Sequence, residues 1–321
     1  MTAIHTTPRS RLRPASTRVA DRAFRIVTAG SALAVFVVLS LIAWSTISEA
    51  APAFSSEGLG FVTSARWAPS AGSFGTLAFI WGTLFVSFLA LAFAVPMSIG
   101  IALFVTEYAG RRAARIVMFL IDVLAAVPSV VFGLWGVAVL AKVAPRFYET
   151  IGSPLSVIPG IGRAFDSPYN GKSFLTAGFI LGLMVTPIIT SLTREVFETT
   201  PRGQKEAAFA LGATRWEMIR GTVLPHSFSG VVGAVLLGLG RAMGETIAAA
   251  LVIGAGTQVT LHLFASGDAL AARVANEFGE GVGVPAWRAA LVGLGVVLFA
   301  MTVLVNLAAQ VVVRRADRRA G

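Results

Sequence analysis

Uninterrupted apolar blocks of about twenty residues or more, bounded by Arg, Pro or Gly, recur along this chain and constrain its fold more than any motif in it. A helix needs about 20 apolar residues to cross the hydrocarbon core of a bilayer. The blocks predict six such helices, at residues 24–47, 74–104, 116–140, 174–192, 228–253 and 287–313. Apolar residues make up 55% of the 321 and charged residues 13%, about half the charged share of an ordinary soluble domain, which excludes one soluble core. The expected fold is therefore an all-α membrane protein with six transmembrane helices.

Basic residues orient it. Six crossings put both termini on one face, together with the segment after the second span and the 194–220 loop. That face carries 18 of the 26 Lys and Arg residues, against seven on the other face and Arg241 within a span. The positive-inside rule makes it cytoplasmic, although Lys142, Arg146, Arg163 and Lys172 dissent on the far side. The formal charge of +10 is thus explained by topology without nucleic acid as a partner. Ala51-Pro52-Ala53 imitates a signal cleavage site, but the preceding apolar run is too long for a signal peptide. Pro96 predicts a kink or an interfacial start in the second block. The organisation read from this is a basic cytoplasmic tail at 1–23, a first helix and outer loop at 24–73, a core at 74–313 and a basic cytoplasmic tail at 314–321. The core includes a cytoplasmic loop at 194–227.

That loop is too polar to span but rich in helix formers. Thr200 and Pro201 predict the start of one short helix and Gly212 its end; Thr214 and Glu217 form a capping-box pattern for a second, which Pro225 ends. The elbow's apolar face, with Ala207, Ala208, Leu211 and Trp216, has no partner within the sequence pattern. It fits a docking surface or a helix pair lying on the bilayer interface.

Within the fifth span, Arg241 precedes Glu245 by four residues, and a central Arg costs about 2.5–3.5 kcal/mol in lipid, so both should face a polar interior. They read either as a structural i,i+4 ion pair or as part of a polar pathway, with Gly240 and Gly244 admitting another helix closely. In the third span Pro128 frees a backbone carbonyl, and Ser129 either repairs the backbone or offers its hydroxyl to an oxyanion. Asp122 lies within snorkelling reach of water. His5, His226 and His262 share no metal-ligand spacing, the absence of Cys removes thiolate chemistry, and neither a metal site nor a catalytic residue is predicted. Glu107, Asp268, Glu277 and Glu280 read as solvated charges. Gly171-Lys172-Ser173 imitates the end of a nucleotide-binding loop, but Asp166 stands where the first Gly is required.

Glu206-Ala207-Ala208, Gly212 and Thr222-Val223-Leu224-Pro225 resemble the EAA loop of ABC importer permeases, with Thr222 where that family prefers Ile. Together with LAAVPSVVFGLWG, LTAGFILGLMVTPIITSLTREVF and LGLGRAMGETIAAALVIGAG, they resemble the PstC family of phosphate-importer permeases from about Trp81 onward. The resemblance implies a type I ABC importer permease fold in a prokaryotic inner or plasma membrane and a role as conduit rather than catalyst. Implied partners are a second, PstA-like permease, two PstB-like ATPase subunits that bind ATP and Mg, a PstS-like extracytoplasmic phosphate-binding protein, inorganic phosphate and membrane lipid. It makes Arg241, Glu245 and Ser129 pathway residues, and Glu206, Ala207, Ala208, Leu211 and Gly212 the ATPase contact; this chain binds no cofactor itself. An ion-coupled secondary anion transporter is the rival, weakened by the lack of two matching broken helices in the sequence, and a membrane scaffold or sensor is another.

Overall fold

A computed structural model describes residues 15–166 and 168–320, with side chains described for 21–166 and 168–311. His5, Arg9, Arg11 and Arg13, and the side chains of Arg18, Arg314, Arg315, Arg318 and Arg319, lie outside the described residues. The chain divides into two units, Met1–Ser48 and Glu49–Gly321. Helix α1 (Ala15–Glu57) contains the expected first span, and in the first unit it exposes Phe24, Phe36, Leu39 and Trp44, as a helix written for lipid does. It stops where Gly58 turns left-handed at φ +55°.

In the second unit a single turn α2 (Gly60–Thr63) leads to a hairpin of β1 (Trp67–Ala68) and β2 (Ser73–Phe74), paired antiparallel with Trp67 opposite Phe74. The hairpin takes up the start of the second apolar block, so α3 (Leu77–Leu103) begins at Leu77 rather than at 74; it then runs without interruption through Pro96 into a π-helical turn, Phe104–Tyr108. The third crossing is not the single helix expected at 116–140. It is α4 (Arg111–Ala126), a break at Val127 and Pro128, then α5 (Ser129–Trp135), a π turn Gly136–Leu140 and α6 (Ala141–Ser156). Pro128 removes a donor and bars the helical conformation at the residue before it, which splits the element there. Ser129–Ser156 is by itself long and apolar enough to span, yet a Cβ on Gly171, just before the next helix, would stand 1.9 Å from the Ala141 carbonyl. Thus 111–140 crosses the bundle in two pieces and α6 continues past its hairpin end.

Helix α7 (Phe174–Glu198) is the centre, and two thirds of its most apolar window is buried. Lipid tails supply no hydrophobic drive between helices, so close packing has to come from small residues. Added Cβ atoms at Gly178 and Gly182 would stand 2.5 Å from the Leu89 Cβ and 3.0 Å from the Ala90 carbonyl, showing how closely α3 lies against α7. Ser98 Oγ donates to the Thr186 carbonyl at 3.1 Å across the same seam. After α7 come the elbow helices α8 (Arg202–Ala210) and α9 (Arg215–Met218), a π turn Ile219–Val223 and α10 (Leu224–Met243); then α11 (Ile247–Val252), α12 (Leu270–Gly281) and α13 (Pro285–Ala320). The fifth predicted span, 228–253, is therefore also broken, at Gly244 to Thr246.

The hairpin end holds a charged network where solvated carboxylates were expected. Asp268, 1% exposed, meets Arg273 at 2.8 Å. Arg273 also pairs with Glu277 and lies over the Phe79 ring at 4.8 Å. Glu277 accepts from the indoles of Trp67 at 2.8 Å and Trp287 at 3.1 Å, tying hairpin, α12 and α13 together; of the outer acids, Glu280 is the one that stays exposed. A Cβ on Gly82 would stand 1.8 Å from the Asp268 backbone carbonyl, so the chain at Asp268 lies close against α3. Burial pushes the Asp268 carboxyl from its ordinary 3.8 up to about 6, against the pull of Arg273.

A folded-state value above the unfolded one means that the folded protein binds the proton more tightly, so this group adds stability as pH falls through 6 toward 4 and loses it as pH rises. The difference in unfolding temperature between wild type and Asp268→Asn, measured in detergent, should move in favour of wild type from pH 7.5 to pH 5. A difference independent of pH removes Asp268 as a titrating group.

Candidate functional site

The helices that follow the two breaks, α5 and α11, pack against each other. A Cβ on Gly133 would lie 3.0 Å from the Ala248 Cα and one on Gly136 2.7 Å from the Val252 side chain, so α5 and α11 run parallel in a fixed register. Ser129 opens α5, and Pro128 before it provides no side-chain cap. The two matching broken elements that the sequence did not reveal are also here.

Arg241 and Glu245 do not form the i,i+4 pair. The helix closes at Met243, with Gly244 N–H bonding to the Gly240 carbonyl at 3.2 Å and Glu245 N–H to Ala242 at 3.4 Å, and this turns Glu245 away from helical phase. Its carboxylate instead accepts from Ala248 N–H at 3.3 Å, satisfying a free donor in the first turn of α11. Arg241, in the last turn of α10, is exposed and has no ion pair among the described residues. A Cβ on Gly233 or Gly240 would meet nothing within 4 Å among the described residues of this unit, so none of its helices packs onto Gly240 beside Arg241. Asp122, on α4, is exposed.

The second constellation is the elbow. Gly212 ends α8 at φ +84°, a conformation that any side chain would strain, while Gly212 N–H bonds to the Phe209 carbonyl at 2.9 Å and Ala213 N–H to Ala208 at 3.1 Å. Thr214 and Glu217 close the expected capping box. Two expectations fail. Pro201, not Thr200, precedes α8 as its cap, since Thr200 is buried with its hydroxyl 3.4 Å from Ser227. Pro225 does not end the second helix, because it sits in the first turn of α10, where a proline needs no N–H, and the π turn carries α9 straight into that span. Ala208 turns inward, packed with Met218, Ile219, Val223, Phe197 and Ala102. Glu206 is exposed; Ala207 and Leu211, the latter 89% exposed, line a groove of about 570 Å³ that Gly221 and Pro225 complete.

Sequence reasoning missed Glu107. It is 7% exposed at the end of α3's π turn and receives the Lys205 ammonium of the elbow at 2.5 Å. Ninety-eight residues separate the two, and no local pattern marks the pair.

This architecture, a polytopic helical bundle with a helical elbow feeding its fifth crossing, is that of a membrane transport permease. Residues 94–320 match the family described as binding-protein-dependent transport system inner membrane component, and the chain belongs to that family. It is 40% identical to the phosphate transport system permease protein PstC of Mesorhizobium japonicum over 94% of this chain and 92% of that protein. It is 39% identical to PstC 2 of Mycobacterium tuberculosis over 94% and 93%. Among solved structures, it matches a chain of the bacterial alginate ABC transporter crystallised with an alginate pentasaccharide-bound periplasmic protein, with TM-score 0.60 at 16% identity over 93% of this chain and 98% of that one. A chain of the inward-facing MetNI methionine ABC transporter gives 0.51 at 16% identity over 75% and 94%. The fold is that of the type I ABC importer permeases, and the chain is a multi-pass membrane transport subunit rather than an enzyme.

The capping role of Glu245 has a measurable consequence. Losing such an acceptor costs roughly 0.5–2 kcal/mol, so Glu245→Ala should speed amide exchange across Ile247–Val252 by roughly 2- to 30-fold. Exchange at 178–182 should stay unchanged. Equal protection in both proteins removes the cap.

Proposed function

We propose that this chain is the permease subunit of an ATP-driven phosphate importer, forming half of a translocation passage with a second, PstA-like permease. The observation that carries the reading is Arg241: an exposed guanidinium in the last turn of α10, just before the break, with no ion pair among the described residues and next to Gly240, which no described residue covers. In lipid such an Arg is costly, whereas against a partner's wet seam it offers bidentate donors to a tetrahedral oxyanion. In this reading Ser129, opening α5 after its break, supplies a hydroxyl donor, and Glu245 fixes α11 through Ala248 N–H. Sulfate shares phosphate's geometry, and the choice of phosphate follows the named relatives, which are phosphate transport permeases.

Glu206, Ala207, Leu211 and Gly212 present the elbow to a PstB-like ATPase, which carries ATP and Mg; a PstS-like protein delivers the anion on the opposite face. This orientation makes the elbow and both termini cytoplasmic, and nothing in this chain need bind a cofactor. The paired broken helices also suit an ion-coupled transporter. The exposed docking elbow is what favours the ATP-driven reading.

Radiolabelled phosphate uptake by reconstituted complexes tests the site. Arg241→Ala should assemble but lose uptake, and Arg241→Lys should keep a small fraction, because an ammonium lacks the planar fork. Normal uptake by an assembled Arg241→Ala complex makes Arg241 a packing residue. ATP-independent, gradient-driven uptake by the wild type establishes the rival. Orientation has its own test, since the chain has no native Cys. An impermeant maleimide added outside cells should label Gln258→Cys and spare Gln204→Cys, and the opposite pattern inverts the topology.

A further inference from the structure

Glu107 fixes the elbow to a helix that the elbow does not continue into. Its carboxylate holds Lys205 of α8 at 2.5 Å, and its own backbone carbonyl accepts from the Arg215 guanidinium of α9 at 2.9 Å. Arg215 also lies over the Tyr108 ring at 5.1 Å. Both elbow helices are thereby pinned to the same two consecutive residues at the end of α3. Beneath them Met218, Ile219 and Val223 pack with Ala102 of α3 and Phe197 of α7, all buried. By covalent continuity alone, a push on the elbow would reach α7, which leads into it, and α10, which leaves it, but not α3.

Three features make this junction a mechanical part rather than an incidental surface pair. The carboxylate is nearly buried, so the pair is not the solvated kind that contributes little. Two π-helical turns, Phe104–Tyr108 and Ile219–Val223, lie on the two sides of the contact. Such turns are uncommon and recur at functional sites, where a helix has to yield locally. Finally, α3 leads away from the junction along its seam with α7, toward Gly82 and the buried Asp268 network at the other end.

We infer that Glu107, through Lys205 and Arg215, is a positioning residue that makes the elbow and α3 one rigid body, so that force on the elbow drives α3 together with the two crossings it is chained to, α7 and α10. The inference rests on the ATP-driven reading above. It assigns Glu107 to transmission and leaves ATPase docking to the opposite, exposed rim of the elbow at Ala207 and Leu211. The strut keeps its contact through the transport cycle, and its loss separates hydrolysis from movement.

The absence of native Cys permits a covalent test on the assembled complex in liposomes with its binding protein. Glu107→Gln and the double variant Glu107→Cys with Lys205→Cys should both co-purify with the ATPase and hydrolyse ATP, while phosphate moved per ATP falls at least tenfold. Bridging the two cysteines with a short bis-maleimide should then restore uptake per ATP in that same protein. The inference is overturned if the unbridged variants keep wild-type uptake per ATP, if they shed the ATPase, or if bridging leaves transport blocked. A wild-type complex that moves no phosphate at the expense of ATP fails the functional reading instead, and the two failures are read from different samples.

Discussion

Inside hydrocarbon, each backbone N–H and C=O must find its partner within the protein, and the architecture follows from that requirement. It confines the chain to helices, and it permits irregular backbone only where protein or water can answer the freed groups. Helix α7 meets the requirement most completely: buried along most of its length, it is the surface on which α3, α5 and α10 can bring their own backbones close. Close approach depends on its glycines facing the small residues of α3. Crossings are interrupted at Val127 to Pro128 and at Gly244 to Thr246, and the helices that follow the two breaks, α5 and α11, pack closely through Gly133 and Gly136.

Charge is distributed by the same economy of solvation. At the two ends of the bundle, carboxylates that leave water are paired: Glu107 with Lys205 at the elbow, and Asp268 and Glu277 with Arg273 at the hairpin. Removing one partner from such a pair strands a charge in a poor solvent, so each pair fixes the elements it joins. Arg241 breaks the pattern, lying between the ends and unpaired among the described residues. An exposed guanidinium between the ends of a membrane bundle is costly unless something outside the described residues solvates or pairs it.

Residue order by itself determined the membrane class, the number of crossings and the capping box of the elbow, because apolar block length and short-range hydrogen bonding are local properties. The EAA pattern and the Arg241-containing span carried the family for the same reason: both are contiguous strings. Tertiary structure decided what depends on contacts between distant residues. Glu107 and Lys205 stand 98 positions apart, and Asp268 becomes buried only because Gly82 lets it approach α3. Four-residue spacing suggested an Arg241–Glu245 pair, yet the helix stops at Met243 and Glu245 serves the next helix, since a freed backbone donor lay nearer than the guanidinium. Pro225 likewise looked like a stop and proved to be a beginning, because a proline's missing N–H costs nothing in a helix's first turn, and the fold places it there.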